Sequence, residues 1–215
     1  MPDHTVVSDR AGQSSRFRIR GTLGAVLAAV LAIGLVACAP DPVAEQYLSG
    51  EDKGYVAANG FTVLEIAPDD REDPIEFTGI TEDGEEFDSA DLVGDVTVVN
   101  FWYAGCPPCR VEAADLESVW QDHQDDGVQF IGVNTLDEAD TAKAFAETYG
   151  VTYPSVMDAR TGDAKLAFSR VIPIQATPTT LVLDKQGRVA ARILGELESA
   201  SILSTLVKDA LAESA

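Results

Sequence analysis

The sequence predicts an α/β fold: a mixed central sheet with helices on both faces and an N-terminal β-hairpin extension. Three observations carry this prediction. Strand-like and helix-like segments follow one another as βαβα and then ββα, which calls for parallel strands joined by helices and a terminal antiparallel hairpin. A β-branched and aromatic run, Val96 to Tyr103, passes through Ala104-Gly105 into a helix that opens Cys106-Pro107-Pro108-Cys109. Finally, 46% hydrophobic content in 215 residues is enough for one domain with a full core plus an appendage.

The appendage is at the start. Arg10, Arg16, Arg18 and Arg20 precede an uncharged run from Gly21 to Ala39 rich in Ala, Leu and Val, the layout of a secretory signal. The run ends in Leu35-Val36-Ala37-Cys38, which resembles a bacterial lipobox with Cys38 as the lipidated residue. The alternative is an uncleaved membrane anchor, since about 20 apolar residues can span a bilayer. Both place the folded part outside the cytoplasm, tethered to a membrane. The expected division is 1–37 signal peptide, 38–53 lipid-anchored tether and 54–215 folded domain.

Within the domain, Lys53 to Ile66 reads as a peripheral hairpin around Asn59-Gly60, and Phe77–Ile80 with Glu85–Phe87 as a second around Asp83-Gly84. Ser89 to Leu92 is one helical turn, broken by Gly94-Asp95 before the central strand. The dithiol helix runs to about Gln121, with Val111, Ala114, Val119 and Trp120 expected on its buried face. A strand over Val128–Val133 and a helix over Glu138–Tyr149 follow, the helix with Ala142, Phe145, Ala146 and Tyr149 at helical spacing and Gly150 as its stop. Tyr153–Met157 is a short strand and Ala164–Phe168 a short helix. Strands Thr180–Asp184 and Val189–Leu194 turn through Lys185-Gln186-Gly187-Arg188, and Glu198–Leu211 closes the chain as a helix.

The chemistry is concentrated at Cys106 and Cys109. A helix N-terminus stabilises an anion, and the thiolate is the nucleophile of disulfide exchange. Cys109 lies one turn on, so the two sulfurs can close a disulfide with little backbone movement. Pro107 and Pro108 suit the first turn but remove two N–H donors from beside Cys106, which favours a reductant over a strong oxidant. A structural staple is the alternative, yet so short a loop constrains the unfolded chain little.

Charge excludes some partners. The formal total is −21, and residues 1–37 hold four Arg against Asp3 and Asp9, a net +2, so the remainder carries −23. Such a surface repels nucleic acid and anionic headgroups. The acidic runs Asp69–Asp73 and Glu82–Glu86 lack the spacing of a calcium loop and read as solvated faces. With Cys38 assigned to the anchor and His123 isolated, no metal and no cofactor is expected.

The Cys-Pro-Pro-Cys helix after Val-Val-Asn-Phe-Trp, with Ala-Thr-Pro-Thr-Thr before the last hairpin, resembles the thioredoxin fold, and more narrowly the TlpA/ResA-type thiol-disulfide oxidoreductases, over roughly residues 54 to 212. The resemblance implies that Cys106 is an exposed nucleophile and Cys109 the buried resolving thiol. It implies that Pro178 is a cis-proline whose loop faces the dithiol and offers the Thr177 backbone to substrate, and that Trp102 packs below the active-site turn. Glu112 matches an acidic residue that tunes the thiols, although a surface helix glutamate is the plainer interpretation. Two positions depart from relatives: Asn100 stands where cytoplasmic thioredoxins carry a buried aspartate, and Gly105 replaces a tryptophan that often precedes the first cysteine. By the same resemblance, the clients are disulfide-bearing proteins, apocytochrome c among them, and the electron donor is a membrane thiol transporter of the CcdA/DsbD type. The rivals are a thiol peroxidase, whose Thr-x-x-Cys pattern would need Thr where residue 103 is Tyr, and a non-catalytic binding lipoprotein.

Overall fold

A computed structural model describes residues 54–56, 62–171 and 177–213. The signal-like run, Cys38, the tether and the Asn59-Gly60 turn lie outside these residues. Among the described residues no helix is long and apolar enough to cross a membrane.

The central strand β5 (Val96–Trp102) is buried at every position, as expected of a run rich in Val and aromatic side chains that must be covered on both faces. It pairs in parallel with β6 (Val128–Asn134), and β6 in parallel with β7 (Ser155–Met157). On its other side β5 pairs antiparallel with β8 (Thr179–Leu183), which forms a hairpin with β9 (Val189–Leu194). The expected N-terminal hairpin is β1 (Gly54–Val56) with β2 (Thr62–Glu65), and β2 adds to the free edge of β9. The order β1-β2-β9-β8-β5-β6-β7 is thus a mixed sheet of seven strands among the described residues. The second expected hairpin, β3 (Thr78–Ile80) and β4 (Glu86–Asp88), stands apart, touching β7 through a Thr81–Val156 bridge.

Alternate residues of β5 feed two cores. Val96 and Val98 join Leu116, Val119, Phe130, Leu203 and Val207 beneath α1 (Pro107–His123) and α4 (Ala200–Ala212). Val99 and Phe101 face the opposite side, where Phe77 of the β3–β4 region and Phe168, just past α3 (Asp163–Ala167), pack edge-on in an aromatic chain. Each fully buried large aliphatic or aromatic side chain contributes about 1.5–3 kcal/mol. The connection from β6 to β7 is α2 (Ala139–Tyr149), which ends at Gly150 in the left-handed conformation (φ 73°), the role the sequence assigns to that glycine.

The buried face of α1 differs from the expected one. Val111 is 63% exposed and Ala114 is exposed, while Cys109, Glu112, Ala113, Leu116, Val119 and His123 point inward. Two polar residues, Glu112 and His123, belong to the inward stripe, so a phase taken from hydrophobicity alone is rotated off the true face.

The dithiol site

The registers bring the carboxyl ends of the parallel strands to one rim of the sheet. Trp102, Asn134 and Met157 lie side by side across β5, β6 and β7, and Thr179 pairs with Phe101. The rim beyond the carboxyl ends of parallel strands is where α/β folds place their sites. Here β5 leaves the sheet at Trp102 and turns through Tyr103, Ala104 and Gly105, with the Cys106 N–H donating to the Tyr103 carbonyl at 3.1 Å. Helix α1 begins at Pro107 with Cys106 as its N-cap residue.

Cys106 and Cys109 form a disulfide. Because Pro107 and Pro108 carry no N–H, the Cys109 N–H is the first donor available in the helix, and it points at the Cys106 sulfur at 3.2 Å. The attacking sulfur is therefore the cap of its own helix, at the positive end of the dipole. Contrary to the expectation of an exposed nucleophile, Cys106 is only 2% exposed, close to the 3% of Cys109. In this oxidised state its sulfur is bonded to that of Cys109. Both sulfurs pack with Trp102, Ala113, Ala142 and Phe145. Trp102 lies below the turn, its ring tilted against that of Phe145 with centroids 4.4 Å apart and its Nε1 donating to the Ser155 hydroxyl at 3.2 Å. Tyr103 partly fills the side left open by Gly105: its ring is 3.4 Å from where a Cβ at position 105 would stand.

Glu112 is buried, 1% exposed, and is not a surface glutamate. One carboxylate oxygen accepts from Asn100 Nδ2 at 2.9 Å, the other from the Leu197 N–H at 2.8 Å. Asn100 also donates to the Thr180 hydroxyl at 3.0 Å. Burial raises the Glu112 pKa to about 7, against the lowering effect of its two hydrogen bonds. Burial, with Glu112 next in effect, also holds the Tyr153 hydroxyl far above its ordinary range. Glu112 is one turn from Cys109 on the inward stripe of α1, and Asn100 lines the same cavity of about 10 Å³ behind Cys109, room for roughly one water. Asn100 thus does not leave the site without a buried carboxyl group; Glu112 supplies one from the helix.

The Thr177–Pro178 bond is cis, and Pro178 is buried just ahead of β8, next to the end of β5 in the register. The Pro178 carbonyl accepts from the Gly195 N–H at 3.1 Å. Elsewhere, Ser204, His123 and Asp126 are hydrogen-bonded in the order of a nucleophile, a base and a carboxylate, with Nε2 3.0 Å from the hydroxyl and Nδ1 3.4 Å from the acid. Ser204 is in the middle of α4, where backbone N–H groups are committed to the helix and cannot form an oxyanion hole. That set ties the end of α1 to α4. Among the described residues no group of three or more His, Cys, Asp or Glu is placed to hold a metal ion.

A helix-capping dithiol at this rim, beside a cis-proline at the head of an antiparallel strand, marks a thioredoxin-fold dithiol protein. The chain belongs to the AhpC/TSA family, which it matches over residues 71–192. It is 32% identical over 120 residues to the thiol-disulfide oxidoreductase ResA of Geobacillus thermodenitrificans, a match covering 56% of this chain and 66% of that one. Among solved structures it resembles the thiol:disulfide interchange protein, a thioredoxin family protein, of Chlorobium tepidum, with 33% identity and a TM-score of 0.61 over 66% of this chain and 97% of that one. It also resembles the secreted thiol-disulfide isomerase of Corynebacterium glutamicum, with 28% identity and a TM-score of 0.64 over 74% and 99%. The matched region spans less than two thirds of the curated relatives.

Proposed function

We propose that this protein is an extracytoplasmic, membrane-tethered thiol-disulfide oxidoreductase that reduces disulfides in client proteins. The observation that carries the proposal is the Cys106–Cys109 disulfide at the start of α1, with a buried carboxyl of pKa about 7 one turn further on. A structural staple would gain nothing from such a neighbour.

In the reduced protein the Cys106 thiolate attacks one sulfur of a client disulfide. The client S–S bond breaks, one client sulfur leaves as a thiolate and takes a proton, and Cys106 is joined to the other. Cys109 then loses its proton and attacks the Cys106 sulfur, which releases the second client thiolate and forms the Cys106–Cys109 disulfide. Two electrons pass to the client; the Cys109 proton goes by way of Glu112 to the second client sulfur, and the first takes its proton from the water that received the Cys106 proton when the thiolate formed. Glu112 serves as the base for the Cys109 proton, since a group titrating near neutrality can both take and release it. Thr177 offers its backbone to the client ahead of Pro178, and Trp102 supports the turn from below. With one N–H on the Cys106 sulfur instead of three, the thiolate is modestly stabilised, as suits a reductant.

The Arg-led apolar run and the Leu-Val-Ala-Cys38 sequence support a lipid anchor at Cys38, and the family resemblance supports a CcdA/DsbD-type transporter as donor and apocytochrome c as client. A thiol peroxidase is disfavoured, because Tyr103 occupies the position of the peroxidatic threonine.

The test is capture of the intermediate. Reduced Cys109→Ser protein mixed with a disulfide-bonded client should accumulate a mixed disulfide on Cys106, seen by non-reducing electrophoresis and peptide mass, whereas Cys106→Ser should form none. A wild-type protein that leaves the client oxidised, or a Cys109→Ser variant without adduct, would sink the proposal.

A further inference from the structure

The turn that carries Cys106 is held from outside by the loop after β6. Asn134, fully buried, closes an Asx turn in which its Oδ1 accepts the N–H groups of Leu136 at 3.2 Å and Asp137 at 2.8 Å. This fixes Asp137, whose Oδ2 accepts the Ala104 N–H at 2.6 Å and Asn134 Nδ2 at 2.9 Å. On the other side of the same residue, Arg110 Nε donates to the Ala104 carbonyl at 2.7 Å. Thr135 adds its N–H at 3.0 Å and its hydroxyl at 3.3 Å to the Trp102 carbonyl.

Ala104, two residues before Cys106, is therefore gripped by an anion on its N–H and a cation on its carbonyl. Charge-assisted bonds of this kind are roughly twice as strong as neutral ones. The turn needs such support. It has left the ladder of β5, it has not entered α1, and it contains the exposed Gly105, which has no Cβ to restrict its backbone. Without a clamp, the Cys106 sulfur would sample positions from which neither a client nor Cys109 is in line.

We propose that Asp137 is a positioning residue for the dithiol: its carboxylate holds the Tyr103–Cys106 turn in reactive register, and its charge keeps the Cys106 thiol from becoming strongly acidic. The inference rests on the oxidoreductase reading and deepens it. The charged groups nearest the turn are Arg110 and Glu112 in the first turns of α1 and Asp137 of the β6–α2 loop, with Glu138 beside it paired to Arg160 and Asp115, Glu117, Asp122 and His123 further along α1. Arg110 favours the Cys106 thiolate, and the carboxylates of Glu112 and Asp137 oppose it.

The test uses the full chain, reduced, with 5,5′-dithiobis(2-nitrobenzoate) as the disulfide, in single-turnover reaction. Asp137→Ala loses the acceptor for Ala104 and should react about tenfold more slowly, the equivalent of one charge-assisted bond. Asp137→Asn keeps a carbonyl oxygen for the Ala104 N–H and should recover to within about threefold of wild type. The pH midpoint for alkylation of Cys106 should fall by about half a unit in the Asn variant, because a nearby negative charge is gone. A merely structural role would leave that midpoint where it is. Wild-type activity with both variants reacting at the wild-type rate and midpoint would overturn the clamp alone. A wild-type protein inert to the probe would overturn the oxidoreductase reading and the clamp with it.

Discussion

Glu112→Gln should make the protein more stable at neutral pH while it becomes a poorer catalyst. Glu112 has its pKa raised from 4.5 in the unfolded chain to about 7 in the fold, chiefly because burial disfavours the charged form. Between these values the native state holds a proton that the unfolded state has lost, so stability falls as pH rises through the window. At 1.36 kcal/mol per unit, a rise of that size makes the wild type lose about 3 kcal/mol between pH 4.5 and 8 through this residue. Gln is never charged and loses nothing there. Its amide nitrogen must face one of two donors, Asn100 Nδ2 or the Leu197 N–H, at a cost of about 1 kcal/mol. Rotation of the Asn100 amide would relieve it, because the Thr180 hydroxyl can donate as well as accept. The expected outcome is a variant more stable than wild type by about 2 kcal/mol at pH 8 and equal or slightly less stable at pH 4.5. Urea unfolding of both oxidised proteins across this range measures the difference directly, and subtraction removes the shared effect of the net negative charge. Resolution of the mixed disulfide by Cys109 should slow by about a hundredfold in the variant. A wild-type-minus-variant difference that stays constant from pH 4.5 to 8 would refute the argument, since Glu112 would then titrate as an ordinary surface acid.

Two further substitutions test the frame around the site. A methyl at Gly132 would fall on the Ser155 hydroxyl and 2.7 Å from Trp102 Nε1, so Gly132→Ala should cost about 2 kcal/mol of stability and shift the Trp102 fluorescence. An unchanged emission spectrum and midpoint would mean that β6 and β7 part more easily than their packing shows. At the far end of the sheet, the Arg71 side chain is 3% exposed and bonds Asp184 at 2.8 Å and Glu213 at 2.6 Å, joining the segment after β2 to the β8–β9 turn and the end of α4. Arg71→Met should destabilise the fold by about 3 kcal/mol, because Asp184, itself 2% exposed, keeps only Arg188 as counter-charge, while disulfide exchange by the folded protein should be unaffected. Calorimetry and the exchange rate check both halves of that statement.

The elements nearest the chemistry were legible because several local signals agree there. The strand of Val, Asn, Phe and Trp, the glycine turn and the proline-bearing helix start each specify one conformation, and the structure has them at Val96–Trp102 and Pro107–His123. The β3–β4 and β8–β9 hairpins turn at Gly84 and Gly187, both at positive φ, and the cis form of Thr177–Pro178 agrees with the family pattern. What pattern could not give was phase and partnership. Val111 and Ala114 were expected inside α1 and are outside, because the inward stripe includes Glu112 and His123, whose burial depends on partners far away in sequence: Asn100 and Leu197 for one, Ser204 for the other. Cys106 is buried with its disulfide partner among Trp102, Ala113, Ala142 and Phe145, a cluster drawn from three elements that spacing along the chain does not show. The Asn134–Asp137 grip on Ala104 was missed as well; an Asn at the end of a strand with Asp three residues on is the sequence signal of an Asx turn, and only the fold shows where it points. Gly132 carried a signal too, since a glycine inside a strand often marks close approach of another group.

The measurement that tests the central claim most directly is a redox titration of the Cys106–Cys109 pair in the full chain, equilibrated with dithiothreitol or glutathione buffers and read by thiol alkylation and Trp102 fluorescence. A reversible two-electron transition near or below the thioredoxin value, about −270 mV, is the predicted result for a dithiol built to reduce its clients. A transition near −120 mV would make the protein an oxidant, and no reversible transition at all would reduce the disulfide to a staple and contradict the function proposed for it.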